Sequence, residues 1–554
     1  MARTDVETPI WRPNWWRLPS WWRKTSVSSD APAPILQPYA PPARSWIRRA
    51  LFFSALMLFC FIYGFFFSVI APFYFVFLIS PLIFVIFLVI WVLPDTIRAP
   101  VRTLEWLFYA MFIALAIWPN YLAIALPGLP WITMIRLTSF PLFLILLVCL
   151  SVSFDFRRQL TGSFRALYAL PFLLATFVAI QLLSIGLSSE TGNSIQKFVV
   201  AQTTWTASFV VAAYLFLHPG QIRRWAAIFW AMSVFLSVIS IWEYRVGHVL
   251  WLGHIPSFLK VEDESVQRAL AGSMRAGTTL YRTQGPYTTP LGLAEFIALS
   301  LPFVLHFMTT RFSKWVRATA LASLPIIFYG VYLTDSKLGT VGCLAGILIY
   351  VFAVAYQNWR KNRQSLVAAT FTFSYPAGLC LVAAALIFVG RFRRLILGDG
   401  SHANSTDARY TQYQMGFEKV MQWPFGYGIG MGGDALGFGL NSHGMMTIDT
   451  YYLSIVLEYG VLGFIVYYGM FAIGIFEGGR RSLFTSSQDK DRSFILPITV
   501  SLIVFVIVKS VFSQQDNHPL IFMMLGALVA LVATNRRQSG GPRLRTNKSG
   551  VAQK

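Results

Sequence analysis

From residue 50 onward the chain is a succession of long, nearly uncharged apolar runs, and this limits its fold more than any other feature. A bilayer-spanning helix needs about 20 mainly apolar residues, because lipid offers no partner to an unpaired backbone N–H or C=O. The runs predict spans near 50–70, 72–93, 105–125, 135–153, 167–187, 197–217, 224–242, 288–308, 317–334, 338–356, 367–388, 448–473, 494–513 and 517–534. The 554 residues are 56% hydrophobic and 12% charged, with a mean hydropathy of +0.58. A soluble domain carries about 25% charged residues, and a single soluble core stops growing near about 250–300 residues. A soluble enzyme of ordinary type, a disordered chain and a fibrous chain are excluded. The fold class expected is all-α, a polytopic transmembrane helical bundle of about 14 spans (12–14).

The net charge of +22 has a matching explanation. The connections that alternate runs place on one side are all basic: Arg98 and Arg102; Arg157, Arg158 and Arg165; Arg223 and Arg224; Arg311, Lys314 and Arg317; Arg360, Lys361 and Arg363; Arg480, Arg481, Lys490 and Arg492. Both tails are basic too, whereas the short connections around 71, 126 and 335 hold almost no cation. Cytoplasmic loops carry excess Lys and Arg, so both termini are expected inside. Nucleic acid is not needed as a partner. The organisation expected is a Trp/Arg/Pro-rich cytoplasmic tail (1–47), N-terminal transmembrane helices (48–242), a periplasmic loop (243–287), central helices (288–388), a large periplasmic loop (389–447), C-terminal helices (448–534) and a basic cytoplasmic tail (535–554). The first tail has no short apolar segment followed by a small-residue cleavage site, so a cleaved signal peptide is not expected. Its Trp and Arg either lie on an anionic leaflet or belong to a disordered tail. The cysteines, 60, 149, 343 and 380, sit in apolar runs with neither metal-ligand nor redox spacing.

The two long outer loops are where chemistry is expected, because long loops in compact proteins are usually functional. Trp251, Ile255, Phe258 and Leu259 fall on one helical face and predict a short interfacial helix. The loops also hold Arg245, Lys260, Arg268, Arg275, Arg282, Arg391, Arg393, Arg394, Arg409 and Lys419, on the side that disfavours cations. Two roles are open to them. They bind phosphate oxygens, as a lipid-linked diphosphate at the bilayer surface would require, or they pair with Glu262, Asp263, Glu264, Asp399, Asp407, Glu418 and Asp434. Lys337, in the TDSKLG turn (334–339), either joins that anion site or snorkels. Lys509, near the outer end of its run, has the same choice.

Three further features stand out. The segment QWPFGYGIGMGG (422–433) allows tight turns and close backbone approach at glycines such as Gly428 and Gly430, but has no strand–loop–helix setting for a dinucleotide. In DTYYLSIVLEYGVLG (449–463), Asp449 stands where the large loop enters a helix, and Glu458 lies about two and a half turns deeper. An intramembrane carboxylate is costly and marks a functional site by default, although a structural hydrogen bond explains Glu458 equally well. His443, six residues before Asp449, is a candidate base, with His402 a weaker one.

Four blocks in this order resemble the O-antigen ligase/polymerase superfamily of bacterial membrane proteins: YRTQGPYTTPLGLAEFIALSLPF (281–303), TDSKLG (334–339), DARYTQYQMGFEKVMQWPFGYGIGMGG (407–433) and DTYYLSIVLEYGVLG (449–463). The last is the most specific, resembling the family's His–Asn–x–Tyr–Leu…Glu–x–Gly–x–x–Gly signature. The resemblance implies a multi-pass enzyme of the bacterial inner membrane with a periplasmic active site. It implies transfer of a glycan from a polyprenyl (undecaprenyl) diphosphate carrier to an acceptor glycan or glycolipid, with membrane lipids around it, sometimes with a chain-length regulator as partner, and with no metal, nucleotide sugar or other cofactor. Carried over, Arg282 and Arg409, with Arg275 and Lys337, hold the diphosphate. Asp449, His443 and Glu458 supply the catalytic carboxylates and base. Tyr281, Tyr287 and Tyr410, with Gly428 and Gly430, meet the glycan. One departure matters: aligned on Glu458, Gly460 and Gly463, the family's His–Asn falls on Asp449–Thr450. This favours an inverting polymerase of O-antigen or exopolysaccharide repeats over a ligase acting on the lipid A core. A transporter of lipid-linked sugar is the expectation from another class, disfavoured because the charges gather at one surface rather than at mid-membrane.

Overall fold

The computed structural model describes residues 50–62, 81–94, 99–125, 131–274, 280–310, 312–388, 403–437, 448–483 and 489–539. The chain divides into two units, Met1–Leu78 and Ile79–Lys554, and helix α1, Ala50–Ile62, is the described helix of the first. The second unit begins with α2 (Pro81–Val92) and α3 (Val101–Ile117). A two-residue hairpin (Ala123–Ile124 with Ile132–Thr133) then leads into α4 (Met134–Val152). Helices α5 (Phe154–Ala166), α6 (Ala169–Ser184), α7 (Thr191–Leu215) and α8 (Gln221–Val246) follow. The next connection carries α9 (Glu264–Ala271) and a second hairpin, Ser273–Met274 with Tyr281–Arg282. Then come α10 (Pro290–Thr309), α11 (Lys314–Leu333), α12 (Lys337–Lys361), α13 (Leu366–Phe388) and α14 (Ala403–Gln422). The chain closes with α15 (Tyr451–Ser482), α16 (Ile495–Lys509) and α17 (His518–Ser539).

Among the described residues, nine helices are long and apolar enough to cross a membrane, and three shorter apolar ones join them. Each run expected from the sequence holds a helix, so the all-α, multi-pass reading holds. Helix α10 is the centre of the bundle. Thr289 caps it by accepting the Gly292 N–H, and Pro290 occupies the first turn, where a missing N–H costs nothing. Most of its residues are buried on every side, which fits its nearly uninterrupted apolar sequence. Helix α12 reaches it through small residues: a Cβ at Gly339 would lie 2.6 Å from the Ala294 Cβ, and one at Gly342 would lie 3.4 Å from the Ala298 Cβ. Small residues let helices approach closely where lipid supplies no hydrophobic drive between them.

The connections sort to two ends. At one, Gly220 N–H and Arg223 bind Asp491, Arg224 binds Glu105, and Gln357 donates to the Ser482 carbonyl. These are the basic connections of the sequence reading. At the other end, Asn120 donates to Asp516, Trp251 to Tyr121, and Ser194 to the Ile429 carbonyl. The candidate site residues that are described lie at this second end or lead into it.

Two local expectations are corrected. No helix spans Trp251–Leu259: Gly253 turns with φ +82 and Pro256 lacks an N–H, so only a single 3-10 turn forms at Ser257–Leu259. Trp251 and Ile255 instead pack with Tyr121, Val261, Val266 and Leu270. The connection near 157 carries a helix, α5, capped by Ser153 and burying Phe156 and Leu160 at helical spacing; Arg158 and Arg165 are exposed, while Arg157 turns back to donate to the Leu150 and Ser151 carbonyls (2.8 and 2.6 Å).

Candidate active site

The site is built around a break in α15. Gly460 adopts φ +70 and ψ −178, a conformation open to glycine, so the helix is interrupted two-thirds of a turn after Leu457 and Glu458. Their carbonyls lose the i+4 partners a continuous helix would give. The segment after α14 supplies them: Tyr427 N–H donates to the Leu457 carbonyl (2.7 Å) and Gly428 N–H to that of Glu458 (3.1 Å), while Val461 N–H donates back to Pro424 (3.0 Å). The glycine-rich turn therefore serves as a plug for the break. Its close approaches are to the protein itself. A Cβ at Gly428 would meet Ser188 at 2.8 Å, and the Gly430 carbonyl accepts from Lys197 Nζ at 3.1 Å. Glu458 is buried in the same place, accepting from the Ser454 hydroxyl (3.1 Å), with the Gly430 amide and the Lys197 charge beside it.

Just before α15 stands Asp449. Its N–H donates to Gln412 Oε1 (3.0 Å), and its Oδ2 lies 3.6 Å from Arg409 Nε. Arg409, Gln412 and Gly416 share the face of α14 turned to α15, with Gly416 against Leu453. A candidate diphosphate ligand and a candidate base are thus neighbours, each about one-third exposed. Burial raises the Asp449 carboxyl above the ordinary carboxylate range, and Arg409 opposes that rise. Tyr410 and Tyr413, on the neighbouring strip of α14, are exposed.

Arg282 sits on a separate segment at the entry to α10. Its Nε donates to the Thr334 carbonyl (3.1 Å) at the end of α11, and Thr283 N–H donates to the Leu333 carbonyl (3.1 Å). The TDSKLG turn is therefore the wall against which Arg282 lies. Lys337, at the start of α12, is exposed. Tyr281 gives its hydroxyl to Glu243 (2.7 Å), and Tyr287 is buried against Phe296 with no open ring face, which leaves Tyr410 as the exposed ring of the three named. Arg275 and His443 lie outside the described residues, as do His402 and Arg391, Arg393 and Arg394.

Lys509, expected to join the anion site or to snorkel, is instead fully buried and paired with Glu295, and Glu295, Asp516 and Asn517 around it were absent from the sequence reading. Lys509 Nζ is 3.0 Å from Glu295 Oε1, both fully buried, and Asn517 Nδ2 donates to Glu295 Oε2 (3.3 Å) and the Gly292 carbonyl (2.9 Å). Asp516 accepts from Thr288 (3.3 Å) and Asn120 (3.5 Å), and burial raises its carboxyl while Lys509 opposes. Lys509 also stands 5.4 Å from the centre of the Tyr451 ring, two residues after Asp449. These contacts join the Arg282 segment to the start of α15. The available signal was a lone acid and a lone base in two apolar helices, which default to pairing.

Residues 321–468 match the model of a protein family described as O-antigen ligase. Three of the four motif blocks fall inside that range, including the Gly460 break and the Arg409–Asp449 pair. Among curated proteins, none matches the chain.

Proposed function

We propose that this chain, whose residues 321–468 match the model of an O-antigen ligase family, is a metal-independent, inverting polymerase of surface polysaccharide. It acts at the periplasmic face of the bacterial inner membrane. The donor is a glycan on polyprenyl diphosphate, and the acceptor is the terminal sugar of another lipid-linked repeat. The observation that carries the reading is the 3.6 Å approach of Arg409 to Asp449. It sets a cation able to bind phosphate oxygens beside a carboxylate able to accept a hydroxyl proton.

In this reading Arg282 and Arg409 stabilise the negative charge that builds on the departing diphosphate, and a positioned guanidinium does so without reorganising at the moment of reaction. Asp449 takes the proton of the attacking hydroxyl, and His443 precedes it in the chain. Attack in line with the departing diphosphate inverts the anomeric centre. Tyr410 offers a ring face for a sugar. The glycine-rich turn supports the site by closing the α15 break, and Glu458 anchors that turn. A chain-length regulator is the partner such a polymerase would use.

Cells carrying Arg409→Ala or Asp449→Asn test this. Both variants should reach the membrane and make no polymer, while single lipid-linked repeats accumulate on the outer side. Single repeats held on the inner side would identify a transporter instead. Normal polymer in both variants would remove the two residues from the reaction.

A further inference from the structure

We propose that Glu243 is a positioning residue for Arg282, fixing the diphosphate-binding arginine through its backbone. The proposal rests on the reading that Arg282 binds the donor diphosphate. Glu243 is near the end of α8 and fully buried. Its Oε1 accepts from the Tyr281 hydroxyl (2.7 Å) and the Gln284 N–H (3.1 Å), and its Oε2 accepts from the Gly285 N–H (2.7 Å). All three donors belong to residues 281–285, on either side of Arg282.

A buried carboxylate is costly unless its lone pairs are filled by donors. Here the donors arrive only when the 281–285 segment is folded as seen, so the stabilisation of the Glu243 charge and the geometry of that segment are one event. The successive N–H groups of Gln284 and Gly285 converge on the same carboxylate, and Gly285 takes φ +55 as the chain turns away from it. Adjacent contacts add to the grip: the Ser240 and Thr283 hydroxyls share a 2.5 Å hydrogen bond, and Thr283 N–H is held by the Leu333 carbonyl. Arg282 thus has its backbone fixed to α8 from one side and its Nε fixed to Thr334 from the other. A guanidinium binds phosphate through a rigid fork, so its affinity depends on where its backbone is held.

The test measures equilibrium binding of undecaprenyl diphosphate to the full-length protein in detergent, for the native chain, Arg282→Ala, Glu243→Gln and the double variant, each checked by its melting temperature. In Glu243→Gln one acceptor oxygen becomes an NH2 facing an N–H. Loss of a hydrogen bond to a charged group is expected to weaken Kd about tenfold. The double variant should bind no more weakly than Arg282→Ala alone, because Glu243 acts through Arg282. Losses that multiply in the double variant, or an unchanged Kd in folded Glu243→Gln, overturn the proposal and leave the diphosphate role of Arg282 standing. An unchanged Kd in Arg282→Ala removes that role, and the proposal with it. If Glu243→Gln fails to fold, Tyr281→Phe removes one donor and keeps the carboxylate. It should weaken Kd in the native background and not in Arg282→Ala, and equal weakening in both backgrounds overturns the proposal.

Discussion

Arg409 Nε lies 3.6 Å from Asp449 Oδ2, and the two side chains are half-buried at the junction of α14 and α15. The arginine favours the ionised acid, burial disfavours it, and burial is the larger influence. A carboxylate that accepts a proton works only when ionised, so activity should fall on acidification at a pH above the ordinary aspartate value of about 3.9. Removing the opposing cation should carry the acid limb higher still. The check is the pH–rate profile of the native protein and of the residual activity of Arg409→Gln. An acid limb that stays in place, or moves lower, in Arg409→Gln would show that Asp449 is not the titrating base.

The Gly460 break should tolerate no side chain. A backbone at φ +70 and ψ −178 is essentially reserved to glycine and costs an L-residue about 1–3 kcal/mol, and a Cβ there would run into the Pro424 carbonyl oxygen of the plugging segment. Gly460→Ala is expected to lower the melting temperature and to abolish polymer. An unaltered melting temperature would mean that the plug can move aside, against the role given to Tyr427 and Gly428.

The Glu295–Lys509 pair should behave as a buried ion pair does. Lys509→Met leaves Glu295 charged and buried, a loss of about 3–5 kcal/mol, whereas Lys509→Met with Glu295→Met should recover most of it. Thermal unfolding in detergent separates the two outcomes. Equal destabilisation in the single and double variants would indicate that the pair is not the source of the stability. The Tyr451 contact makes a second readout available, because a shift of α15 relative to α16 would also reduce polymer.

Arg282→Lys should rescue Arg282→Ala poorly, since an ammonium keeps the charge but not the two-pronged donor geometry. The rate of repeat addition in the two variants is the measure. Full activity with lysine would reduce the role of Arg282 to a point charge.

How much of this was legible in the sequence follows from the range of each interaction. Helices such as α10 and α12 are specified by their own apolar residues, so the apolar runs located them. Where short-range signals conflicted, the reading failed: the apolar spacing of Trp251, Ile255 and Phe258 suggested a helix that Gly253 and Pro256 prevent. The link between Arg409 and Asp449 crosses 40 positions, and motif order placed the two in one region without showing that they touch. Glu243 with Gly285, and Glu295 with Lys509, pair across long separations with no local pattern. At the Gly-rich turn, composition shows that backbone can be approached closely, not what approaches it.

The central claim is tested most directly by full-length protein in liposomes, supplied with a polyprenyl-diphosphate-linked repeat unit, with and without a lipid A core acceptor, and with Asp449→Asn alongside. Products are sized on a gel. The account predicts a ladder of lengths on the polyprenyl carrier in both tubes, lost in Asp449→Asn. A single shifted band that forms only with the lipid A core present would contradict it and identify a ligase.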